Sequence, residues 1–244
     1  VTIDFSEVDL SNKKQSRPQH SPPNSGSISL GDDPIKQINV NHSAHAVNGG
    51  IKVDEFGATD INGLFAVGET IAGPHGADRL GGGMISQSNV FGARAGKIAA
   101  KFSIGSDHID SLSSIDRINK RLSKFKNLNA PNYYEIRKKL KALAAENLIV
   151  ERNQKGLDKM YNHLEELSQE IIFKSPYHDT KSMLKNLETE NLLTVAKLMV
   201  GSARLRKESR GSHCRFDYPE IDNYTWDKSI FWSIKEDKIQ YEIK

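Results

Sequence analysis

The 244-residue chain is long enough for one large or two small domains, and 34 basic against 31 acidic side chains (net +3) is too even a balance to imply a nucleic-acid partner. A hydrophobic share of 37% and a charged share of 27% lie near those of a globular protein, and 7% aromatic residues add no nucleic-acid signature. The single cysteine, Cys214, excludes an intramolecular disulfide and a multi-cysteine metal site. No apolar run approaches the ~18–20 residues that span a bilayer, and no secretory signal pattern is visible.

The chain opens on Val1 in a strand-like VTIDF, which reads as a fragment rather than a start. Residues 11–34 collect Ser, Pro, Asn, Gly, Asp and Lys, the composition of an exposed loop. From about Ile38 to Phe102 runs a glycine-rich α/β block. It begins with His45–Ile51, HAVNGGI, where a Gly-Gly turn leads into a hairpin.

In the next segment, TDINGLFAVGE (residues 59–69), Gly63 permits a tight turn, and Leu64–Val67 is short and apolar enough for a buried parallel strand. Ligands of open α/β sheets gather at the carboxyl ends of strands, and Glu69 stands there beside Gly68, where a carboxylate can accept from sugar hydroxyls. An ordinary strand followed by a turn is the alternative.

GPHGADRLGGGMISQSNVFGARAG (residues 73–96) follows. Gly73, Gly76, Gly81, Gly82 and Gly83 allow backbone to lie flat against a ligand, and a helix is expected from near Ile85 or Ser86. Its first N–H groups carry partial positive charge, suited to an anionic ligand group such as a phosphate. Gly92 and Gly96 each cost about 1 kcal/mol of helix stability relative to alanine, which suggests close packing there.

Beyond about Asp107 the pattern turns helical. One helix is expected near Pro131 and through Leu140 and Leu143. A second carries Leu157, Met160, Tyr161, Leu164, Leu167 and Ile171 on one face. A third carries Leu192, Val195, Ala196, Met199 and Ala203, with Glu188 and Glu190 near its start and Arg204, Arg206 and Lys207 at its end. Three helices with short links make a bundle.

The ordered blocks HAVNGGI, GLFAVGE, HGADRLGG and VFGARAG resemble the flavoprotein family of succinate dehydrogenase, fumarate reductase and L-aspartate oxidase. Members read H-x-x-x-G-G-I, G-L-(Y/F)-A-x-G-E, H-G-A-N-R-L-G-G-N-S and V-F-G-x-x-A-G. RKESRGSHCRFDYPEIDNYTW (residues 206–226) is similar to the E-S-R-G-x-H-x-R-x-D-x-P segment of the family's helical domain. The resemblance implies a C-terminal fragment with a partial, incomplete α/β FAD-binding domain and an all-α helical-bundle domain. Residues 1–38 would be a capping-domain remnant and loop, 39–104 the C-terminal part of the FAD-binding domain, and 105–244 the helical domain.

By the same resemblance, the intact protein moves hydride between a C4 dicarboxylate and flavin N5, with FAD as cofactor and, as electron partner, an iron–sulfur subunit. His45 and Arg79 would bind the substrate's carboxylates. Glu69 would contact the ribityl chain, and Gly49, Gly50, Arg79, Met84 and Ile85 would approach the flavin. Guanidinium binds carboxylate bidentately, which suits Arg79 to that role. Location would be cytoplasmic, peripheral to the inner membrane through partners and without a span of its own. Asp78 for Asn, Gly83-Met84 for Asn-Ser and Gln87 for a carboxylate depart from the pattern, pointing away from the respiratory type. The chain holds no GxGxxG phosphate turn, and the proton-shuttling arginine and the histidine that some members link to FAD would lie upstream. The fragment alone, with no catalytic residue of its own, is therefore expected to be inactive and to bind FAD weakly.

Other readings stay open. His42 rivals His45, Arg79 could be a salt-bridge arginine, and His75 reads as structural. Arg210, His213 and Arg215 read as a structural or subunit-facing network. An L-aspartate oxidase fragment is the enzymatic alternative, although Leu80-Gly81-Gly82 leans away from it, and a truncated binding module the non-enzymatic one.

Overall fold

The computed structural model describes residues 2–4, 37–39, 45–105, 112–123, 133–174, 179–236 and 238–244. It divides into two compact units, Val1–Ala44 and His45–Lys244. In the first, β1 (Thr2–Asp4) pairs antiparallel with β2 (Gln37–Asn39), Ile3 opposite Ile38. The strand expected in VTIDF is therefore present, while loop 11–34 lies outside the described residues.

The second unit opens with the glycine-rich block. Ile51 bridges Ile71 in parallel, with Ile51 N–H donating to Thr70 O (2.8 Å) and Ala72 N–H to Ile51 O (2.9 Å). Gly50 makes this approach feasible, because a Cβ there would lie 2.4 Å from Thr70 O. The expected buried parallel strand at Leu64–Val67 is not formed. Ala66 N–H donates to Gly57 O (2.9 Å) and Thr59 N–H to Leu64 O (3.0 Å), so the segment is one arm of a short antiparallel hairpin turning at Gly63 (φ 80°). Ala66 is buried but Leu64 and Val67 are exposed, and no described strand lies alongside to pair in parallel. A single 3-10 turn, Gly68–Thr70, follows.

Helix α1 (Gly83–Ile104) starts two to three residues earlier than expected, because Gly82 at its N-cap takes the left-handed conformation (φ 78°) and turns the chain directly into it. Ala95 is its buried apolar contact, against Gly57 and the Ala66 turn. The close packing expected at Gly92 and Gly96 is absent among the described residues, where an added Cβ would meet nothing within 4 Å.

Helix α2 (Leu112–Leu122) precedes the bundle of α3 (Tyr133–Asn147), α4 (Gln154–Lys174) and α5 (Thr180–Leu205). The core joins Ile136 and Leu140 of α3, Leu157, Met160, Leu164 and Leu167 of α4, and Leu193, Ala196, Val200 and Ala203 of α5. Residues three and four apart share a helix face, so the α4 stripe packs as its period requires, with Tyr161 at its margin. The Ile171 side chain lies outside the described residues.

The α5 face differs from expectation. Ala196 and Ala203 are buried, but Leu192, Val195 and Met199 are exposed, and their neighbours Leu193 and Val200 face the core with Asn186 and Thr189. Helix α5 also begins eight residues before Glu188, at a capping box in which Ser182 N–H donates to the Asp179 carboxylate (2.6 Å) and Asp179 N–H to Ser182 Oγ (3.2 Å). Glu188 thus serves no helix start but pairs with Arg137 (2.9 Å) and Lys185 (2.8 Å).

Short β3 (Glu151–Arg152) runs parallel to β4 (Cys214–Arg215), tying the start of α4 to the chain after α5. After the one-turn α6 (Asn223–Trp226), strands β5 (Ile230–Lys235) and β6 (Lys238–Ile243) form a hairpin. Trp232 fixes it on α5: its ring covers Gly201, where a Cβ would stand 2.9 Å from Cζ2, and its indole N–H donates to Ser202 Oγ (2.7 Å).

Candidate functional site

Glycine geometry gathers the predicted residues of the α/β block into one region. Glu69 sits exposed in the 3-10 turn and accepts from Val47 N–H (3.1 Å), tying the His45–Ile51 segment to that turn. His45 is exposed at the segment's start, and His42 lies outside the described residues. Gly49 has open space beside it, whereas Gly50 is packed on Thr70–Ala72. The close approach on the Cβ side of Gly50 is thus to protein backbone.

Arg79 lies partly buried in the loop before α1 with its Nε fully covered and without a hydrogen-bond partner. The Asp78 carboxylate accepts from the Arg79 backbone N–H (2.8 Å), and no salt bridge to Arg79 occurs among the described residues. His75 Nε2 hydrogen-bonds the side-chain carbonyl of Gln87, and Gln87 Nε2 is left buried without an acceptor. A Cβ at Gly83 would stand 3.3 Å from His75 Cε1 and 3.8 Å from Arg79 Cγ, so both side chains crowd the first turn of α1. That turn has neither a capping side chain nor an acidic residue. Met84 is half-buried and Ile85 exposed on it.

Two buried donors at the start of α1, Arg79 Nε and Gln87 Nε2, thus lack an acceptor. A buried donor without an acceptor costs about 1–3 kcal/mol, and a helix N-terminus adds partial positive charge. Such a surface fits an acceptor-bearing ligand, the carbonyl oxygens of a flavin pyrimidine edge or a carboxylate. The exposed Glu69 carboxylate keeps an oxygen for sugar hydroxyls. On these observations the residues present fit one half of an FAD site.

The RKESRGSH segment forms a second cluster. Glu208 is fully buried; it accepts from Arg206 (2.6 Å), from both arms of Arg210 (2.9 and 3.0 Å) and from Asp222 N–H (2.9 Å). Burial pushes its carboxyl upward, but these donors outweigh that and hold it at about 2. Arg215, also fully buried, grips Asp217 with two bonds (2.7 and 2.8 Å), donates to Ala203 O (2.7 Å) and reaches Gln154 (3.1 Å). The Arg215 guanidinium holds the Asp217 carboxyl down at about 2.

His213 Nε2 donates to Arg206 O (3.1 Å), which leaves Nδ1 to accept from Arg152 (2.7 Å) and fixes the neutral tautomer. Burial, with Arg152, Arg215 and Arg206 nearby, lowers its pKa to about 4. Between about pH 6.5 and 4 the unfolded chain binds the proton and the folded one does not, so stability falls as pH falls through that window. The full shift corresponds to about 3 kcal/mol, reduced by solvent screening of the partly exposed ring, and Glu208 and Asp217 add to it as pH drops from their ordinary values toward 2. An NMR titration should place the His213 midpoint near 4; a midpoint above 6 would contradict the buried neutral state.

The two clusters meet at Ala77. Its carbonyl accepts from Ser212 N–H (3.3 Å), Ser212 Oγ (3.0 Å) and Asn48 Nδ2 (3.3 Å). Sequence reasoning did not single out Asn48 or Ser212, and no spacing announces a contact between residues 164 apart.

Residues 137–244 match the fumarate reductase flavoprotein C-terminal family and residues 2–85 match the FAD binding domain family. The chain is 33% identical over 201 residues to a subunit of the fumarate reductase (CoM/CoB) of Methanothermobacter marburgensis, covering 81% of this chain and 37% of that protein. Among solved structures, a variant of Escherichia coli quinol fumarate reductase aligns with a TM-score of 0.76 at 29% identity, over 86% of this chain and 37% of that one. The Mycobacterium smegmatis Sdh1 complex aligns with a TM-score of 0.71 at 27% identity, over 82% and 35%. The chain thus spans a little over a third of the length of the curated relatives it matches.

Proposed function

Because the chain belongs to the fumarate reductase and succinate dehydrogenase flavoprotein family, we propose that it supplies the substrate-facing half of an FAD site in an oxidoreductase acting on a C4 dicarboxylate. FAD is the cofactor of this family. The observation that carries the reading is Arg79: a half-buried guanidinium with an unpartnered Nε, in a glycine loop leading to an acid-free helix start.

Arg79 would hold one substrate carboxylate by paired N–H donors, and exposed His45 would donate to a carboxylate from the neighbouring segment. Fixing two carboxylates orients the carbon between them, which is where positioning lowers a barrier. Glu69 would accept from the ribityl hydroxyls, while backbone at Gly49 and at Met84–Ile85 would face the ring. The α1 N-terminus and its unpartnered donors favour negative charge on the adjoining ring edge. FAD, when bound, supplies two-electron redox chemistry at hydride level. With this assignment we propose domain limits of 1–38, 39–104 and 105–244.

An iron–sulfur electron partner and peripheral attachment to a membrane through it belong to the same proposal, and the likeness to the Mycobacterium smegmatis Sdh1 complex supports membership of a larger assembly. Among the described residues no helix is long and apolar enough to cross a bilayer. The test is the protein carrying this chain with a complete FAD-binding domain, assayed for fumarate-dependent oxidation of a reduced dye and for succinate and aspartate oxidation. Turnover of fumarate or succinate is expected. Aspartate turnover alone would move the assignment to L-aspartate oxidase, and no turnover with any of the three would sink it. The 244-residue chain alone is expected to bind FAD weakly, and stoichiometric flavin absorbance would contradict that.

A further inference from the structure

Ala77 stands two residues before Arg79, and its carbonyl is the meeting point of three chain segments. Asn48 approaches from the His45–Ile51 segment and donates from Nδ2 to both Ala77 O and Ser212 Oγ, each at 3.3 Å. Ser212 approaches from the helical part and donates its N–H (3.3 Å) and hydroxyl (3.0 Å) to the same carbonyl. Gly211, at φ 56°, lies flat on the loop: a Cβ there would be 2.6 Å from Ala77 O and 2.9 Å from Asp78 Cβ. Any larger residue at 211 would push the arginine loop away.

The support behind this contact is stiff. Arg210 and His213 exchange backbone hydrogen bonds (2.8 and 3.0 Å), closing the turn that presents Gly211 and Ser212. Arg210 is held by Glu208 and by Asn223 (2.9 Å). His213 is held by Arg152 and Arg206 O, and Arg215 N–H donates to Ser209 Oγ (2.8 Å). At its other end, Asn48 follows Val47, whose N–H is fixed by Glu69, and lies three residues from His45.

From this arrangement we propose that Asn48 and Ser212 are positioning residues: through Ala77 they set the separation of His45 and Arg79, and with it the affinity for a dicarboxylate. The proposal rests on the assignment of His45 and Arg79 as carboxylate-binding groups. Neither Asn48 nor Ser212 need touch substrate. Two anionic groups of fixed spacing are bound together only if the two protein groups hold a matching spacing, so loosening the clamp weakens a dicarboxylate without releasing the flavin.

The test uses the flavin-loaded protein carrying this chain. Malonate serves as the probe, because its single methylene leaves no CH–CH bond to oxidise, and binding is read from perturbation of flavin absorbance. Asn48→Ala and Ser212→Ala are each expected to raise the malonate Kd about 10-fold, with FAD content unchanged. Ser212→Thr, which keeps the hydroxyl, is expected to stay within about 2-fold of the parent value. Wild-type malonate affinity in both alanine variants, or affinity lost only together with FAD, overturns the proposal. Arg79→Gln is the discriminating control. If it abolishes malonate binding while both alanine variants bind normally, the clamp fails and the carboxylate site stands. If Arg79→Gln binds malonate normally, the site assignment fails and takes the clamp with it.

Discussion

Arg215→Ala is expected to cost about 3–5 kcal/mol of folding free energy, a large part of the roughly 5–15 kcal/mol that holds a typical domain together. The side chain is fully buried, and its guanidinium joins three elements: Ala203 O at the end of α5, Gln154 at the start of α4, and Asp217 beyond β4. Asp217 in turn accepts from Gln154 N–H (2.8 Å), capping α4. Removing the cation leaves this carboxylate without its main partner and the Ala203 carbonyl without its donor. Arg215→Lys cannot restore the set, because one ammonium cannot replace a planar fork that bonds a carboxylate twice and a carbonyl at the same time. Urea denaturation followed by far-ultraviolet circular dichroism measures the loss. A change under 1 kcal/mol for Arg215→Ala would show that the network does not hold the bundle.

How far the sequence reveals this molecule depends on whether information is local. Gly63 is legible as a turn from residue type alone, and it takes positive φ, because only the backbone's own sterics decide there. The α4 stripe is legible because each buried side chain has polar neighbours that break any competing face. On α5 the same periodicity points to the wrong members of adjacent apolar pairs. Leu192 and Leu193, like Met199 and Val200, offer two faces of similar hydrophobicity, and packing of Asn186 and Thr189 settles which one turns inward. Thr189 Oγ1 accepts from Arg137 Nε (2.7 Å) and donates to Lys185 O (2.6 Å), a polar contact that hydrophobic periodicity does not register. Leu64–Val67 shows another limit: a short apolar run specifies neither its pairing partner nor its burial, and here it forms a hairpin arm that buries only Ala66. In the candidate site the residues of the glycine-rich motifs are assigned by resemblance alone. The Asn48–Ala77–Ser212 contact is not legible, because it exists only once the helical part has folded against the glycine-rich loop.

In flavin-loaded protein, Arg79→Gln is expected to weaken dicarboxylate binding by about two orders of magnitude while leaving FAD bound. A charge-assisted hydrogen bond contributes about 1.5–3 kcal/mol, and truncating one side of a desolvated charge pair costs about 2–5 kcal/mol. A loss near 3 kcal/mol corresponds to ~100-fold in Kd. The magnitude depends on the guanidinium being free to engage a ligand. Asp78, the adjacent acid, spends a carboxylate oxygen on the Arg79 backbone N–H, and Arg79 Nε has no partner. Were Arg79 a structural salt-bridge residue, its replacement would lower stability and leave ligand affinity intact. The substitution therefore separates the two roles through two measurements on one variant: malonate affinity by flavin absorbance, and unfolding free energy in urea. Affinity within about threefold of the parent protein, coupled with a stability loss above about 1 kcal/mol, would assign Arg79 to the scaffold. Lost affinity at unchanged stability would assign it to the substrate, because an arginine whose buried nitrogen lacks a partner contributes little to folding until an anion arrives.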